Sequence, residues 1–252
     1  MHYTKTLIGT LPLIFLLGCS NPAKDVPAAS VDKPSSPATN IAAAPEADAR
    51  YFVFGPKSSA IAFTGSKVSR SHNGGFRNFV GEFKVVNDRL AGSGNKIVID
   101  VGSLYADDPR LTEHLKSQDF FAVAQNPTAT FVSTAIEQKA TNTTVTGDLT
   151  LHGVTKSISF PAKIGVSNDT VSVTAIFFLN RYDFEIRYPG MANDLIRKEV
   201  VLRLNIKAAP GQADFKIVEQ TAQLGATAVS ATPRPGGGQR PGGQGTGGPM
   251  RQ

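Results

Sequence analysis

Apolar and polar residues alternate through much of the middle of the chain. The pattern is clearest over 158–164, 171–179 and 200–206, where Ser, Thr, Lys, Arg or Asn separate large apolar residues. A period of two residues is typical of a strand with one face in the core. Turn residues such as Gly, Asn and Asp separate further candidates, and strands are therefore predicted at about 58–68, 77–87, 95–102, 128–138 and 143–151.

One segment interrupts the alternation and predicts a short helix. Asp108 is a suitable N-cap, and Pro109 follows at the first helical position, where the missing N–H costs nothing. Leu111 and Leu115 lie one turn apart and would face the sheet. About eight strands with one short helix predict an all-β fold, either a sandwich or a closed antiparallel barrel with the helix across one end.

The start of the chain has the composition of a secretory signal. Residues 1–18 contain Lys5 and an apolar run that is shorter than the ~20 residues of a membrane span. The following Leu16-Leu-Gly-Cys19 resembles the lipobox of bacterial lipoproteins, and Cys19 is the single cysteine of the sequence. This resemblance implies a lipid anchor on Cys19, whereas the alternative is an incidental cysteine. Ser20, in place of Asp, favours the outer membrane, with the protein facing the periplasm.

The flanking segments predict flexibility. Residues 19–49 are mostly small or polar, and residues 211–252 end in a Gly/Pro-rich stretch, so both are expected to be disordered. Within the second segment, residues 211–231 are ambiguous and could instead form a short helix. One folded domain is predicted over 50–210. The net charge is +6, but basic residues are scattered among acidic ones, so nucleic acid is not an expected partner.

Four stretches of this domain resemble one known family, the YceI-like proteins. They are SAIAFTGSKVSRSHNGGFRNFVGEF (59–83), DPRLTEHLKSQDFFAVAQNPTATFVS (108–133), VTGDLTLHGVTKSISFPA (145–162) and NRYDF (180–184). They follow the family's order and span nearly all of residues 50–210. The resemblance implies a lipocalin-like antiparallel β-barrel with a helical cap. Members with a known ligand hold a long isoprenoid chain in the lumen.

Two positions depart from the family pattern. Glu185 follows Asp-Phe where the family commonly has Gly, which raises the question of the local backbone geometry. Arg110 matches the arginine at the helix start, but Thr112 occupies its more usually acidic partner position.

The barrel predicts two sets of ligand contacts. Seven apolar residues are expected in the lumen, although each phenylalanine alone is explained as well by core packing: Phe63, Phe79, Phe131, Phe160, Phe177, Leu149 and Leu151. Five polar residues are candidates for a ligand head group: Lys67, His72, Arg110, His114 and Arg181.

Each head-group candidate also has a structural interpretation. His72 lies in the glycine-rich SHNGGF (71–76), which predicts a loop or bend. His114 would anchor the helix to a neighbouring strand, and Arg110 would be solvated or paired with an acidic residue. Arg181 would pair with Asp183 or Glu185.

The sequence carries no motif of a known catalytic class, so no enzyme activity and no cofactor are predicted. His72, His114 and His152 lie on different elements without ligand-like spacing, so no metal site is expected either. In VTGDLTLHGVTK (145–156), we expect His152 to be a hairpin-turn residue with a local hydrogen bond.

The sequence therefore predicts a membrane-anchored envelope lipoprotein that binds a long apolar lipid, polyisoprenoid or quinone-like, for carriage, storage or scavenging. The alternative is a structural envelope lipoprotein with a filled barrel and no small-molecule ligand. Some members of the family dimerise, so a homodimer is left open, as are the identity and chain length of the ligand.

Overall fold

A computed structural model of the chain describes residues 21–34, 48–138, 143–192 and 194–231. Cys19, the signal segment and the Gly/Pro-rich residues 232–252 lie outside these ranges. The strands are β1 Ser30–Asp32, β2 Arg50–Phe54, β3 Ala60–Ser66, β4 Ser71–Phe76, β5 Phe79–Val86, β6 Arg89–Leu90, β7 Lys96–Asp100, β8 Leu104–Ala106, β9 Thr128–Gln138, β10 Thr143–Leu151, β11 Val154–Val166, β12 Val171–Asn180, β13 Gly190–Met191, β14 Asp194–Leu195 and β15 Glu199–Pro210. The helices are α1 Pro109–Lys116 and α2 Phe215–Ala231.

Eight antiparallel strands close the barrel, in the order β11-β10-β9-β7-β5-β2-β15-β12 and back to β11. Three of them continue past a break as a second strand: β2 into β3, β5 back into β4, and β7 into β8. The register shows this, because β15 pairs with β2 at Ala209 and with β3 at Leu202 on the same side. The barrel is therefore longer than its individual strands. The predicted all-β barrel with a short helix is confirmed.

The segment 71–76 is a strand, so its prediction as a loop or bend was wrong. Its glycines fit between neighbouring side chains: a Cβ on Gly74 would overlap the Phe63 ring, and one on Gly75 would lie 2.8 Å from the Ile61 carbonyl oxygen. The glycines here serve close packing between strands rather than a turn.

Residues 21–34 are not a free tether, because they complete the barrel wall. β11 and β12 pair only over 163–166 and 171–174 and separate beyond that. β1 enters this gap and pairs with β11 from Ser157 to Ser159, while the Ala29 N–H donates to the Phe178 carbonyl at 2.9 Å. Ala29 and Val31 pack on the apolar cluster beneath.

Residues 211–231 likewise contain ordered structure. Helix α2 buries Val218, Ala222 and Ala226, which recur at helical spacing, and it packs on β5 and β7. The Lys96 ammonium lies 4.5 Å from the centre of the Phe215 ring. The alternative of a helix within residues 211–231 is thus correct, and the prediction that these residues are disordered was wrong. No helix within the described ranges is long and apolar enough to cross a membrane.

Aromatic side chains fill one half of the barrel. Phe52 and Phe54 on β2 face Phe83 on β5, and the Phe54 and Phe83 rings lie 4.7 Å apart. Valines at the start of β12 and residues at the end of β15 complete this cluster. Gly81 leaves room for the Phe54 ring, which occupies the position that a Cβ would take. The buried members of this cluster that do not border the cavity described below form a packed core, which we call the filled half: Phe52, Phe54, Phe79, Val85, Val171 and Ala208.

Candidate functional site

The rest of the lumen contains a cavity of about 440 Å³, which also borders five residues of that cluster: Ile61, Phe83, Leu90, Val173 and Ile206. We call this part of the lumen the hollow half. Six of the seven predicted lumen residues line it: Phe63, Phe131, Phe160, Phe177, Leu149 and Leu151. Phe79 does not line the cavity, because it packs among the residues of the filled half. Leu111 and Leu115 of α1, with Phe120 and Phe121, contribute further lining, so the helix faces the cavity as predicted.

Period-two alternation explains why these side chains converge. On β12, Phe177 and Leu179 point inward, and on β11 Ile158 and Phe160 do the same. The Phe160 and Phe177 rings stack with centroids 4.2 Å apart. The inward face of each strand is apolar over most of its length, so the lumen offers an apolar ligand a continuous surface.

Basic and acidic lining residues lie on the loops and strand ends around α1 and the β13–β14 hairpin. They are Lys67, His72, His114, Arg181, Asp194 and Arg197. Met191 also lines the cavity and is 71% exposed, so the cavity reaches solvent beside this hairpin. We call this end the mouth.

Arg181 is an internal brace of the mouth. It is 6% exposed, and its guanidinium donates to the backbone carbonyls of Ile186 at 2.6 Å, Tyr188 at 2.7 Å, Arg197 at 3.1 Å and Ile196 at 3.3 Å. Burial lowers the pKa of the guanidinium from its usual value. Its predicted pairing with Asp183 or Glu185 was wrong: its partners are the carbonyls of two chain segments that it ties together.

Lys67 and His72 are engaged with carboxylates. The Lys67 ammonium lies 2.5 Å from Asp194, and this contact lowers the pKa of the Asp194 carboxyl. His72 Nδ1 lies 2.7 Å from Asp107 Oδ1. The Asn73 backbone N–H, together with the His72 ring, holds the pKa of Asp107 below its usual value. Both predicted head-group residues line the cavity, but each already has an ionic partner.

Helix α1 places His114 in the wall and Arg110 outside it. Asp108 caps the helix as predicted, since its Oδ1 accepts from the Arg110 N–H at 2.7 Å and the Leu111 N–H at 3.2 Å. His114 bonds Asp119 at 3.0 Å instead of a neighbouring strand. Arg110 is exposed and is absent from the cavity lining.

Thr112 has a structural role that differs from that of an acidic residue. Its hydroxyl accepts from the Ala106 N–H at 2.9 Å and so fixes α1 to the end of β8. In this chain the position expected from the resemblance to hold an acidic partner of Arg110 therefore hydrogen-bonds backbone instead.

His152 and Gly153 form the two-residue turn between β10 and β11, with φ of 52° and 75°. Two positive φ values suit the twist of a tight hairpin, and Gly at the second position is the usual choice. His152 Nδ1 lies 3.1 Å from the Phe184 carbonyl oxygen. The prediction of a turn residue was correct, but the hydrogen bond is long-range: it ties the hairpin to the NRYDF segment.

Glu185 adopts a backbone conformation that glycine favours, which resolves the question of the local geometry at this position. Its φ is 58°, in the left-handed region that glycine adopts without strain. The carboxylate projects to solvent and pairs with Arg187 at 2.6 Å, which lowers the pKa of Glu185. A glycine at this position would thus serve backbone conformation, and Glu185 adopts the same conformation at some cost.

Several wall residues were not identified from the sequence. Ser66, Tyr188, Asp194 and Arg197 line the mouth. The Ser66 hydroxyl oxygen is buried and has no hydrogen-bond partner among the described residues. Gly65 also lines the cavity, and a Cβ there would meet nothing within 4 Å. Ser66 and Gly65 lie within the predicted strand 58–68 but were not assigned to the lumen, whereas Tyr188, Asp194 and Arg197 lie outside the predicted strands.

The part of the chain that the structure describes holds no group of three or more His, Cys, Asp or Glu that could bind a metal ion. Its histidines are instead distributed over the hydrogen bonds to Asp107, Asp119 and Phe184. The polar groups of the mouth therefore organise the wall.

Comparison with known proteins gives the same fold. A UPF0312 protein of Pseudomonas putida is 33% identical over 135 residues, which cover 51% of this chain and 70% of the relative. A UPF0312 protein of Pseudomonas paraeruginosa is 32% identical over 137 residues, covering 53% and 72%.

Two solved structures align over most of their length. Burkholderia cenocepacia BcnA has a TM-score of 0.53 and 24% identity, covering 60% of this chain and 96% of its own. A polyisoprenoid binding domain from Saccharophagus degradans, implicated in plant cell wall breakdown, has a TM-score of 0.52 and 16% identity, covering 65% and 100%. At these identities the two structures support the fold alone. The model of the YceI-like domain matches residues 52–208, so the barrel-forming part of this chain belongs to the YceI-like family.

Proposed function

We propose that the protein is an exported lipoprotein that binds a long apolar lipid, polyisoprenoid or quinone-like, in the hollow half of its barrel. It carries, stores or scavenges this lipid and makes or breaks no covalent bond. The observation that carries the proposal is the cavity itself: about 440 Å³ bounded mainly by Phe, Leu, Ile and Val. Burying an apolar chain there would gain ~25 cal/mol per Å² of apolar surface removed from water.

The polar groups of the mouth indicate which chemical group is expected at the end of the ligand that lies there. Lys67 and His72 are paired with carboxylates, and Arg181 is occupied by backbone carbonyls. Arg197 and the hydroxyls of Ser66 and Tyr188 are the remaining candidates to donate to a ligand oxygen, since no hydrogen bond or ion pair of these side chains is seen among the described residues. A quinone-like or alcohol oxygen therefore fits this mouth better than a pyrophosphate with several charges.

Binding is tested by native mass spectrometry of the full chain carrying Cys19→Ser, incubated with a polyprenol or a long-chain quinone. A second variant, Gly65→Leu, places a side chain into the lumen where a Cβ meets open space. We expect the parent to take up one lipid and the Gly65→Leu protein to take up none. Gly225→Leu is the matched control, because a Cβ on this exposed α2 glycine also meets nothing within 4 Å.

An apo mass for the parent with every lipid would contradict lipid binding and favour the structural lipoprotein. Equal uptake by the parent and Gly65→Leu would place the ligand outside the cavity. Thermal unfolding of both leucine variants shows whether a loss of uptake comes from misfolding.

We also propose that Cys19 carries the lipid anchor and that the protein lies at the outer membrane, facing the periplasm. The support is the lipobox-like Leu16-Leu-Gly-Cys19 and the absence of Asp at position 20. Several acyl chains together give stable attachment, at ~0.8 kcal/mol per buried methylene. Cys19→Ser should move the protein from the membrane to the soluble fraction of cells, and continued attachment would contradict the anchor.

A further inference from the structure

Three exposed apolar side chains surround the mouth of the cavity. Val68, between β3 and β4, is 55% exposed, Met191 on β13 is 71% exposed, and Leu195 on β14 is 51% exposed. The Val68 N–H donates to the Leu195 carbonyl at 3.2 Å, so the two segments are neighbours. We call these three residues the mouth patch. Large apolar side chains that cluster on a surface commonly mark an interaction site.

The mouth patch is continuous with the lumen. Met191 itself lines the cavity, as do the backbone neighbours Gly190 and Ile196. Lys67 forms an isolated bridge with Ile196, so the turn that carries Val68 is held against the hairpin. An apolar surface thus runs from the outside of the protein into the cavity.

The charge around the mouth patch is positive. Residues 66–72 and 185–198 hold five Lys or Arg side chains and two acidic ones. Both acidic residues are neutralised locally, Asp194 by Lys67 and Glu185 by Arg187. Arg70 and Lys198 are exposed, and no ion pair is seen for either within the described ranges. Apolar tips with basic neighbours match the surface of an anionic bilayer, where the apolar groups insert and the cations meet phosphate.

We propose that the mouth patch inserts into the surface of an anionic phospholipid bilayer and places the cavity opening against the membrane. An apolar lipid can then pass between the bilayer and the lumen without exposing its chain to water. This contact is additional to the anchor on Cys19: the anchor keeps the protein near the membrane, and the mouth patch sets its orientation. The membrane contact rests on surface residues and does not require that the lumen hold a ligand.

The test uses the full chain with Cys19→Ser, so that no acyl chain contributes, in co-sedimentation with vesicles. One vesicle is phosphatidylglycerol mixed with phosphatidylethanolamine, and the other is phosphatidylcholine alone. The variant is Val68→Ser/Met191→Ser/Leu195→Ser. The control is Ile217→Ser/Leu224→Ser, which removes two equally exposed apolar side chains, 61% and 73%, from α2.

We expect the parent and the α2 control to bind the anionic vesicles, and the mouth-patch variant to bind them about tenfold more weakly. We expect binding to fall as salt rises, because the cations act through screened charge. Failure of the parent to prefer anionic vesicles, equal binding by the mouth-patch variant, or an equal loss in the α2 control would overturn the proposal.

Two further measurements separate this proposal from its competitors. Light scattering reports the oligomeric state, and a dimer of the parent that becomes a monomer in the mouth-patch variant would identify the patch as a contact between copies and overturn membrane insertion. Lipid uptake from dilute ethanol, without vesicles, measures ligand binding separately. For this measurement the variant is Val68→Ser/Leu195→Ser, which leaves the cavity-lining Met191 in place. It should retain uptake from ethanol while losing uptake from vesicles, whereas loss of both would show that the patch serves the cavity alone.

Discussion

The two halves of the barrel are built from the same alternating strands but are stabilised in different ways. In the filled half, Phe52 and Phe54 pack against Phe83 of the neighbouring strand, and of these three only Phe83 borders the cavity. In the hollow half, Phe160 and Phe177 stack along the wall, and the centre stays open. The first half is a core in the ordinary sense, whereas the second is a shell.

A shell needs other means of keeping its shape. Around the mouth these are hydrogen bonds between backbone and polar side chains: Arg181 with four carbonyls, His152 with Phe184, and Thr112 with Ala106. β1 closes the gap between β11 and β12 in the same half. The comparison implies that stability and ligand binding are governed by different residues, which substitutions can separate.

The largest expected effect comes from the filled half. Phe52 is 1% exposed in a packed cluster, so Phe52→Ala should lower the free energy of unfolding by about 3–5 kcal/mol through lost burial and a new cavity. Phe131 borders the existing cavity, and Phe131→Ala should cost about half as much because fewer contacts are lost. Urea unfolding measures both values.

Lipid uptake should show the reverse order. The Phe52→Ala protein, where it is folded, should bind lipid like the parent, whereas Phe131→Ala should change the affinity or the preferred chain length. A larger loss of stability in Phe131→Ala than in Phe52→Ala would remove the distinction between the two halves.

Arg181 gives the next effect, because it stabilises the hollow half without apolar packing. Arg181→Lys keeps the charge but cannot reach four carbonyls in two segments, so buried acceptors lose their donor. We expect a loss of about 2–4 kcal/mol, since the bonds are charge-assisted and buried. Hydrogen exchange of residues 186–197 should rise while that of β2 and β5 stays protected. An equal rise in β2 would contradict a local brace.

Two glycines in the wall of the hollow half provide a finer test. A Cβ on Gly147 would overlap the Phe131 ring and lie 2.5 Å from the Val132 carbonyl oxygen, whereas one on Gly65 meets open space. Gly147→Ala should therefore cost about 1–3 kcal/mol through overpacking. Gly65→Ala should be neutral or stabilise the protein by up to about 1 kcal/mol, because alanine lowers the conformational entropy of the unfolded chain and less entropy is then lost on folding. Thermal unfolding of the two variants measures this difference in stability. Similar losses of stability at both positions would mean that the wall at Gly65 is also closely packed.

The strands and the capping helix were predictable because they depend on local periodicity. Alternation located β3, β5, β7, β9, β10, β11, β12 and β15, and the Asp108-Pro109 signal located α1. The same logic failed at Ser71–Phe76, where close packing against Phe63, and not turn formation, requires the glycines. The prediction from composition also failed over residues 21–34. β1 is stabilised by pairing with β11 in the gap between β11 and β12, and the composition of the segment does not reveal such a partner.

The candidate site was predictable in its apolar part and not in its polar part. A side chain's direction in a strand follows from parity, which placed six of seven lumen residues in the wall. Polar partners depend on which loops meet at the mouth, and the sequence does not specify this. Arg181 was thus assigned to nearby acidic residues, whereas its acceptors are carbonyls up to 16 positions away.

The smallest expected effect concerns Glu185, where backbone strain can be separated from charge. Its left-handed conformation costs ~1–2 kcal/mol for a residue with a Cβ, and glycine would relieve this but lose ~0.5–1 kcal/mol in backbone entropy. Glu185→Gly should therefore raise the free energy of unfolding by about 0.5 kcal/mol, which urea unfolding can resolve. Glu185→Ala is the control: it also removes the exposed pair with Arg187 but keeps the strain, so it should not stabilise. If the alanine variant gained as much as the glycine variant, the carboxylate and not the backbone would be the unfavourable feature of this end of the hollow half.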